Sequence, residues 1–261
     1  MRTKVVRSID LNCDMGEGFD SDAAIIPYVT SINIACGYHA GDPATMRKTV
    51  RLAADHSVAI GAHPSLPDRA NFGRRVMQVT PQEIYNLVLY QAGALSAFTR
   101  AVGAALVHLK PHGALYNMAA KDAAIAQAIA EATRDFDPDC ILIGLAGSQL
   151  IKAGENAGLR TASEAFADRT YQADGSLTPR DLAGALIHDP AAAAERVLKM
   201  VLQGTVTSQQ GTEIPLRADT ICIHGDSPGA AEMAKTIRER LQREGIDVKS
   251  MASIAGSGPK P

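Results

Sequence analysis

Short apolar runs alternate with longer helix-like stretches along the whole chain, and this alternation constrains the fold more than any other feature of the sequence. Several of the runs are apolar on both faces, as strands buried between two layers must be. We predict strands over residues 5–13, 32–36, 58–62, 105–109, 140–145, 159–163 and 220–224. Seven strands joined mostly by helical crossovers favour a parallel sheet, either an open doubly wound sheet or a closed β/α barrel.

Helix starts are marked by a recurring pair, a side-chain oxygen acceptor followed by proline. The oxygen can cap a free backbone N–H, and proline at the first helical position has no N–H to leave unpaired. The pairs are Asp42-Pro43, Thr80-Pro81 (with Glu83 for a capping box), Thr178-Pro179, Asp189-Pro190 and Ser227-Pro228. We therefore predict helices beginning near residues 43, 80, 190 and 228, a shorter one near 179, and further helices over 121–134 and 148–156.

No shift of composition divides the chain, so we expect one β/α domain over residues 1–251 and a flexible Gly/Ser/Pro-rich tail over 252–261. The net charge is −2 and basic residues form no dense run, which excludes nucleic acid and anionic membranes as expected partners. No apolar stretch is long enough to span a bilayer, and the N-terminus lacks the apolar core of a signal peptide. We expect a cytoplasmic protein whose four cysteines are buried and reduced.

Polar residues gather where the predicted strands end. Parallel β/α folds place their chemistry at the carboxyl ends of the strands. Four of the seven histidines fall just past strand ends, in segments that contain a nearby glycine: His39, His63, His112 and His224. The sequence therefore predicts a shared polar mouth built from several strands.

The first strand carries a polar ladder. In IDLNCD, the side chains of Asp10, Asn12 and Asp14 share one face because strand side chains alternate. Polar groups inside a core are costly unless they are paired or functional. We interpret Asp10 as part of a structural hydrogen-bonded network and Asp14, nearer the open end, as a functional carboxylate.

The segment HLKPH has the H-x-x-x-H spacing of a metal-binding pair, but that spacing joins two histidines only on a helix. On a strand the two would lie roughly 13 Å apart, and Pro111 disfavours helix at Lys110. We interpret His108 as an interior residue, and Lys110 and His112 as functional. Phosphate-binding loops of the usual glycine spacings are absent from the sequence, and GLAGSQ is interpreted as a plain strand-to-helix connection.

Six ordered segments resemble the LamB/YcsF family, which supplies the A component of bacterial 5-oxoprolinase: DLNCDMGEGF, NIACGYHAGD, IGAHPS, KPHGALYN, SEAFADRTY and HGD. The resemblance extends over about residues 9–251. It implies a seven-stranded (β/α) TIM-like barrel of the glycoside hydrolase/deacetylase type. It also implies ATP-dependent opening of 5-oxo-L-proline (pyroglutamate) to L-glutamate, with ATP and Mg2+ as co-substrate and with subunits B and C as partners.

Such a reaction needs a base for water, donors for a developing oxyanion and a cation for the substrate carboxylate. Motif membership and strand-end position give the candidate catalytic residues Asp14, His39, His63 and His112, and the candidate substrate-binding residues Asn12, Lys110, Glu164, Arg169 and His224. No tightly bound metal is expected. Because no phosphate loop is present, either the barrel binds ATP in an unusual way or a partner subunit supplies much of the nucleotide site.

Two other functions remain open from the sequence. A metal-dependent deacetylase-like hydrolase would use Asp14, His63 and His112 as ligands. Against it, Met15 follows Asp14, so the paired aspartates of carbohydrate deacetylases are missing from the first strand. A non-catalytic subunit that binds pyroglutamate for its partners is the other alternative.

Overall fold

A computed structural model describes residues 8–226 and 229–255 of the chain. Its strands are β1 (Ser8–Met15), β2 (Ser31–Ala35), β3 (Ala59–His63), β4 (Leu106–Leu109), β5 (Ile141–Leu145), β6 (Thr161–Phe166), β7 (Thr205–Thr207), β8 (Glu213–Pro215), β9 (Thr220–Ile223) and β10 (Asp247–Val248). Within the described ranges the helices are α1 (Asp22–Ile25), α2 (Pro43–Asp55), α3 (Pro81–Ala101), α4 (Gly113–Lys121), α5 (Ala123–Phe136), α6 (Gln149–Asn156), α7 (Pro190–Gln203), α8 (Ala230–Arg243) and α9 (Met251–Ala255).

Seven parallel strands close into a barrel in the order β1-β2-β3-β4-β5-β6-β9, because β9 returns to pair with β1. In this last pairing Asp10 lies opposite Thr220. The closed barrel is therefore the correct one of the two predicted topologies. The strand β10 pairs in parallel with the first residues of β1, Ser8 and Ile9. In the long crossover between β6 and β9, β7 and β8 form an antiparallel hairpin. No helix in the described part of the chain is long and apolar enough to cross a membrane.

The predicted strands are confirmed, with ends that shift by one to three residues; the first overlaps β1, and its residues 5–7 lie outside the described part. The helix starts at Pro43, Pro81 and Pro190 are also confirmed. The side chains of Asp42, Thr80 and Asp189 each accept a hydrogen bond from a backbone N–H of the helix they precede. The predicted start at Ser227-Pro228 lies outside the described residues.

One helix prediction is wrong. Residues 180–184 form turns instead of a helix near 179. The hydroxyl of Thr178 is engaged by the neighbouring loop, where it accepts from Gln172 at 2.8 Å and contacts the Thr170 hydroxyl at 2.9 Å, so it does not cap a helix. The helix predicted over 121–134 is confirmed as α5, which begins at Ala123 because the Asp122 carboxylate accepts from the backbone N–H groups of Ala124 and Ile125. The preceding α4 was not predicted.

The C-terminal segment differs from the prediction at its beginning. Residues 252–255 belong to α9, where the sequence predicted a flexible tail. The helix starts at the buried side chain of Met251, which packs with Ile141, Ile143 and Ala162. Burial of that side chain is the physical reason for an ordered turn. Residues 256–261 lie outside the described part, and the single-domain assignment stays a prediction.

The alternation in β1 is confirmed. Ile9, Leu11 and Cys13 join the apolar core, whereas the buried side chains of Asp10 and Asn12 make polar contacts across the barrel. The Asp10 carboxylate accepts hydrogen bonds from side chains of neighbouring strands or their flanks: Thr30, Ser31 and Thr220. Burial raises the pKa of Asp10 to about 6, although these hydrogen bonds oppose the shift. All four cysteines are buried and unpaired, as expected.

A glycine in β3 makes room for an interior histidine. A Cβ atom at Gly61 would lie 2.0 Å from Nε2 of His108, which is hydrogen-bonded to Asn33 Oδ1 at 2.9 Å. We expect Gly61→Ala to lower the free energy of unfolding by about 2–4 kcal/mol, from overpacking and the lost hydrogen bond. Urea denaturation measures this change.

The matched control is Gly93→Ala, at an exposed position inside α3 where an added Cβ meets no atom within 4 Å. This variant is expected to gain about 0.5–1 kcal/mol in stability, because alanine favours helix over glycine. Equal stability of Gly61→Ala and the wild type would show that the His108 ring is not confined by β3.

Candidate active site

The carboxyl ends of the barrel strands surround a cavity of about 610 Å³. Six of the nine predicted site residues line it: Asp14, His63, Lys110, His112, Arg169 and His224. The other three, Asn12, His39 and Glu164, are buried around these residues without lining the cavity. The strand ends thus bring the predicted residues together as a cavity wall and the side chains that support it.

A buried lysine lies between two carboxylates at the base of the cavity. Lys110 Nζ is 2.9 Å from Asp14 Oδ1 and 2.8 Å from Glu164 Oε1. Burial alone would lower the pKa of Lys110, but neighbouring charges, Asp14 foremost, outweigh burial and raise it well above the ordinary value. Burial would likewise raise the pKa of Asp14, but the charges of His63 and Lys110 hold it well below the ordinary value. Both groups are therefore ionised at neutral pH.

Two asparagines complete this buried network. Asn12 donates to Glu164 at 3.1 Å and to Thr220 at 2.7 Å. Asn33, on β2, donates to Asp14 Oδ1 and to Asn12 Oδ1, each at 2.8 Å. These bonds fix one oxygen of the Asp14 carboxylate, so that its other oxygen is left to face His63 at 3.3 Å.

His63 and His112 meet edge to face beside Asp14. The Nδ1 atom of His63 bonds to the carbonyl oxygen of Lys110 at 2.7 Å, and Nε2 of His112 bonds to the carbonyl oxygen of Phe72 at 2.8 Å. The remaining ring nitrogens, His63 Nε2 and His112 Nδ1, are 2.9 Å apart. Gly113, which follows His112 at φ 55°, starts α4 so close to Gly73 that a Cβ there would be 2.6 Å from the Gly73 carbonyl oxygen.

His39 lies behind His112. The two rings stack with centroids 3.7 Å apart, and His39 Nε2 is 2.9 Å from Glu17 Oε1. Burial, with a smaller contribution from His63, lowers the pKa of His39 to about 2. The imidazole is therefore neutral and donates its Nε2–H to the carboxylate.

Glu17 was missed as a site residue. Its carboxylate lines the cavity, 3.4 Å from His112 Nδ1 and 3.9 Å from His63 Nε2. Burial, together with the charge of Asp14, raises the pKa of Glu17 to about 7. The sequence signal was its place in the family segment DLNCDMGEGF, just beyond the first strand.

Asp168 holds His224, and it too was missed by sequence reasoning. Nδ1 of His224 is within 2.9 Å of both carboxylate oxygens of Asp168, and the His224 ring stacks on Phe166. Burial would raise the pKa of Asp168, but the charge and hydrogen bonds of His224 hold it below the ordinary value. Because Asp168 lies in the same motif as Glu164 and Arg169, SEAFADRTY, that motif could have identified it.

Arg169 is a buried cation in the cavity wall. One terminal nitrogen donates to the carbonyl oxygen of Thr178 at 2.6 Å, and Nε has no hydrogen-bond partner. Among the residues that the structure describes, no carboxylate forms an ion pair with it. Burial and the charge of Arg180 lower its pKa to about 10, so the guanidinium is charged at neutral pH. This arrangement suits an anionic ligand.

The prediction that HLKPH does not form a helical metal-binding histidine pair is confirmed. His108 is a buried residue of β4, and His112 immediately precedes α4, so the two are not one turn apart on a helix. GLAGSQ is a plain connection in which Ser148 caps α6.

A parallel β/α barrel with a polar cavity at the carboxyl ends of its strands is the class to which fold and site assign the chain. The model of the LamB/YcsF family matches residues 9–256, and the chain belongs to this family. Curated relatives include the A component of 5-oxoprolinase from Geobacillus thermodenitrificans, 57% identical over 94% of this chain and 98% of that protein. The protein of the same name in Bacillus subtilis is 56% identical over 94% of this chain and 97% of that protein.

Solved structures agree with the fold. A "Lactam Utilization Protein" from Thermus thermophilus is 47% identical, covers 94% of this chain and 100% of its own, and superimposes with a TM-score of 0.88. A structure described as "T48 deacetylase with substrate" is 14% identical over 98% of this chain and 94% of its own, with a TM-score of 0.53. That second likeness concerns the barrel fold alone.

Proposed function

We propose that the chain is the A component of an ATP-dependent 5-oxoprolinase and that its barrel mouth opens the lactam of 5-oxo-L-proline to L-glutamate. The observation that carries the proposal is the presence, in one cavity, of the buried guanidinium of Arg169, which forms no ion pair with any described residue, and of the ionised carboxylate of Asp14. One group suits the substrate carboxylate and the other suits water activation. The names of the 54–57% identical relatives, and of the T. thermophilus structure, support the same activity.

The substrate is a small anion with one planar amide. We propose that its carboxylate pairs with Arg169, which forms no ion pair within the described ranges. Phe166, in the cavity wall, offers an apolar face to the ring carbons. Lys110 is less suited to the substrate carboxylate, because Asp14 and Glu164 already balance its charge.

The chemistry must overcome the low reactivity of a lactam. In the proposed route the γ-phosphoryl group of ATP passes to the lactam oxygen and ADP leaves. Water then attacks the activated carbon, the ring C–N bond breaks as the nitrogen takes up a proton, and γ-glutamyl phosphate forms. A second water releases phosphate, so the sum is 5-oxoproline, ATP and two waters to glutamate, ADP and phosphate.

Each group in the wall has a proposed role in this sequence. Asp14 accepts the proton of the attacking water, and His63 lies beside its carboxylate at 3.3 Å. His112 lies beside the reacting amide, and His224, held by Asp168, contacts the substrate ring. Asn12, His39 and Glu164 support these groups from behind.

We propose that subunits B and C supply much of the ATP site with its Mg2+, since the sequence holds no phosphate-binding loop. The activity is placed in the cytoplasm, where ATP is available. Because much of the ATP site would then lie on subunits B and C, we expect this chain to be inactive alone.

The test is release of glutamate from 5-oxo-L-proline, measured for this chain alone, for B with C, and for the three together, with and without ATP. We expect glutamate only from the complete mixture with ATP, in amounts equal to the ADP formed. Release by B with C alone would give this chain only a substrate-binding role, and ATP-independent release by this chain would make it a simple hydrolase. Absence of ATP-dependent glutamate from the complete mixture contradicts the proposal.

A further inference from the structure

Two imidazole nitrogens, His63 Nε2 and His112 Nδ1, face each other inside the cavity wall at 2.9 Å. A carbonyl oxygen only accepts hydrogen bonds, so His63 must carry a proton on Nδ1 and His112 on Nε2. In the neutral rings His63 Nε2 and His112 Nδ1 are then both acceptors, yet they lie 2.9 Å apart. Such a contact is repulsive unless a cation lies beside both lone pairs.

A third acceptor completes a triangle. Glu17 Oε1 is 3.4 Å from His112 Nδ1 and 3.9 Å from His63 Nε2. Ligands at 2.0–2.1 Å from a tetrahedral metal ion are separated from one another by about 3.3 Å. The three edges, 2.9, 3.4 and 3.9 Å, bracket this value. A single proton would relieve one edge, whereas a metal ion satisfies all three acceptors.

We infer that His63 Nε2, His112 Nδ1 and Glu17 Oε1 bind one divalent transition-metal ion, of which Zn2+ is the best match. Two imidazoles and one carboxylate are a donor set that Zn2+ uses in catalytic sites, where the fourth position stays open to water or substrate. All three ligands line the cavity, so the open position faces the proposed lactam site. This replaces the sequence-based expectation that no metal is held tightly.

Neighbouring groups hold the three ligands in place. The backbone carbonyls of Lys110 and Phe72 fix the tautomer and orientation of the two imidazoles. His39 donates Nε2–H to Glu17 Oε1 at 2.9 Å and stacks on the ring of His112. Outer contacts of this kind orient metal ligands and raise affinity. His39 is thus a positioning residue, which explains its burial behind the cavity wall.

A second group of possible ligands, Asp14, Cys222 and His224, does not suit a metal ion. Nδ1 of His224 is committed to Asp168, and Lys110 Nζ lies 3.2 Å from Cys222 Sγ. Burial raises the pKa of Cys222 well above the ordinary thiol value, so the thiolate that a metal requires is disfavoured. We therefore assign the ion to the Glu17 triangle alone.

The inference deepens the proposed function and rests on it only for the role of the open position, because metal binding is measured without turnover. Purified chain is stripped with a chelator, dialysed and titrated with Co2+, whose visible absorption reports tetrahedral binding, and then with Zn2+ by calorimetry. We expect one ion per chain, with Zn2+ displacing Co2+. Glu17→Gln should weaken Zn2+ by at least ~100-fold and His39→Ala by ~10–100-fold.

His188→Ala is the matched control, since this exposed histidine lies outside the cluster, and it should bind as the wild type does. Thermal melts of each variant check the fold, and the isosteric Glu17→Gln keeps the test valid where a histidine variant unfolds. Absence of saturable Co2+ or Zn2+ binding by the wild-type chain overturns the inference, as does equal binding by Glu17→Gln. If the chain binds one metal ion but the complete mixture with B and C forms no ATP-dependent glutamate, the metal site is supported and only the proposed function is contradicted.

Discussion

Replacing Asp14 with asparagine is expected to reduce ATP-dependent glutamate formation by about 10³-fold, the usual contribution of a general base. The substitution keeps the shape of the side chain and an oxygen that can accept from Asn33 and Lys110. It removes the negative charge and with it the proposed proton acceptor for water. The measurement is kcat in the assembled enzyme at saturating 5-oxoproline and ATP.

Asp10→Asn is the matched control, because Asp10 lies on the same face of β1 and does not line the cavity. We expect its kcat to stay within about tenfold of the wild type, since Asp10 is not positioned for proton transfer. Equal losses in both variants would mean that the polar ladder is only structural. An Asp14→Asn enzyme with full turnover would remove Asp14 from the mechanism.

Replacing Lys110 with methionine is expected to have the largest combined effect on stability and activity. The buried carboxylates of Asp14 and Glu164 lose their shared cation, and breaking a buried pair costs about 3–5 kcal/mol. Turnover should fall by about 10²–10³-fold, because Asp14 is no longer fixed and ionised. Urea denaturation and kcat/KM of the assembled enzyme measure the two effects.

The pKa shifts of Asp14 and Lys110 determine how the pH dependence of stability and activity changes in this variant. Asp14 has a lowered pKa in the folded protein, so its contribution to stability is present above its ordinary value and is lost as pH falls through the folded pKa. Lys110 has a raised pKa, so its contribution is present below its ordinary value and is lost only as pH rises through the folded pKa. Removing Lys110 raises the pKa of Asp14, and the acid limb of the kcat/KM profile should move to higher pH.

Lys199→Met is the control for the same change of side chain. Lys199 is 2.7 Å from Glu213 in a partly exposed pair, and such surface pairs contribute at most about 1 kcal/mol. An unchanged acid limb in Lys110→Met, or a stability loss no larger than that of Lys199→Met, would show that Lys110 does not control Asp14.

Local patterns predicted much of this site. Strand alternation placed Asp10, Asn12 and Asp14 on one face, because the side-chain period of a strand depends only on the strand itself. The strand ends likewise located His63, Lys110 and His112. The three residues are distant in sequence from β1, but parallel strands bring their carboxyl ends to the same edge of the sheet.

The missed residues depend on tertiary relations that short patterns do not encode. Asn33 reaches Asp14 because β1 and β2 pair in the register that sets them opposite each other. Glu17 enters the cavity through the turn after β1, where Gly16 has φ 71°. Thr178 fails to cap a helix because neighbouring loop side chains engage its hydroxyl. Register, turn path and competing partners are properties of the folded chain.

We expect 5-oxo-L-proline to bind at the mouth of this barrel, between Arg169 and Asp14. A crystal structure of the assembled enzyme with 5-oxo-L-proline, in the absence of ATP, tests it most directly. We predict the ring in the cavity beside Phe166, its carboxylate hydrogen-bonded to the Arg169 guanidinium and its lactam carbon facing the Asp14 and His63 side chains. A ligand bound outside this cavity, or one whose carboxylate avoids Arg169 and whose lactam points away from Asp14, would contradict the account.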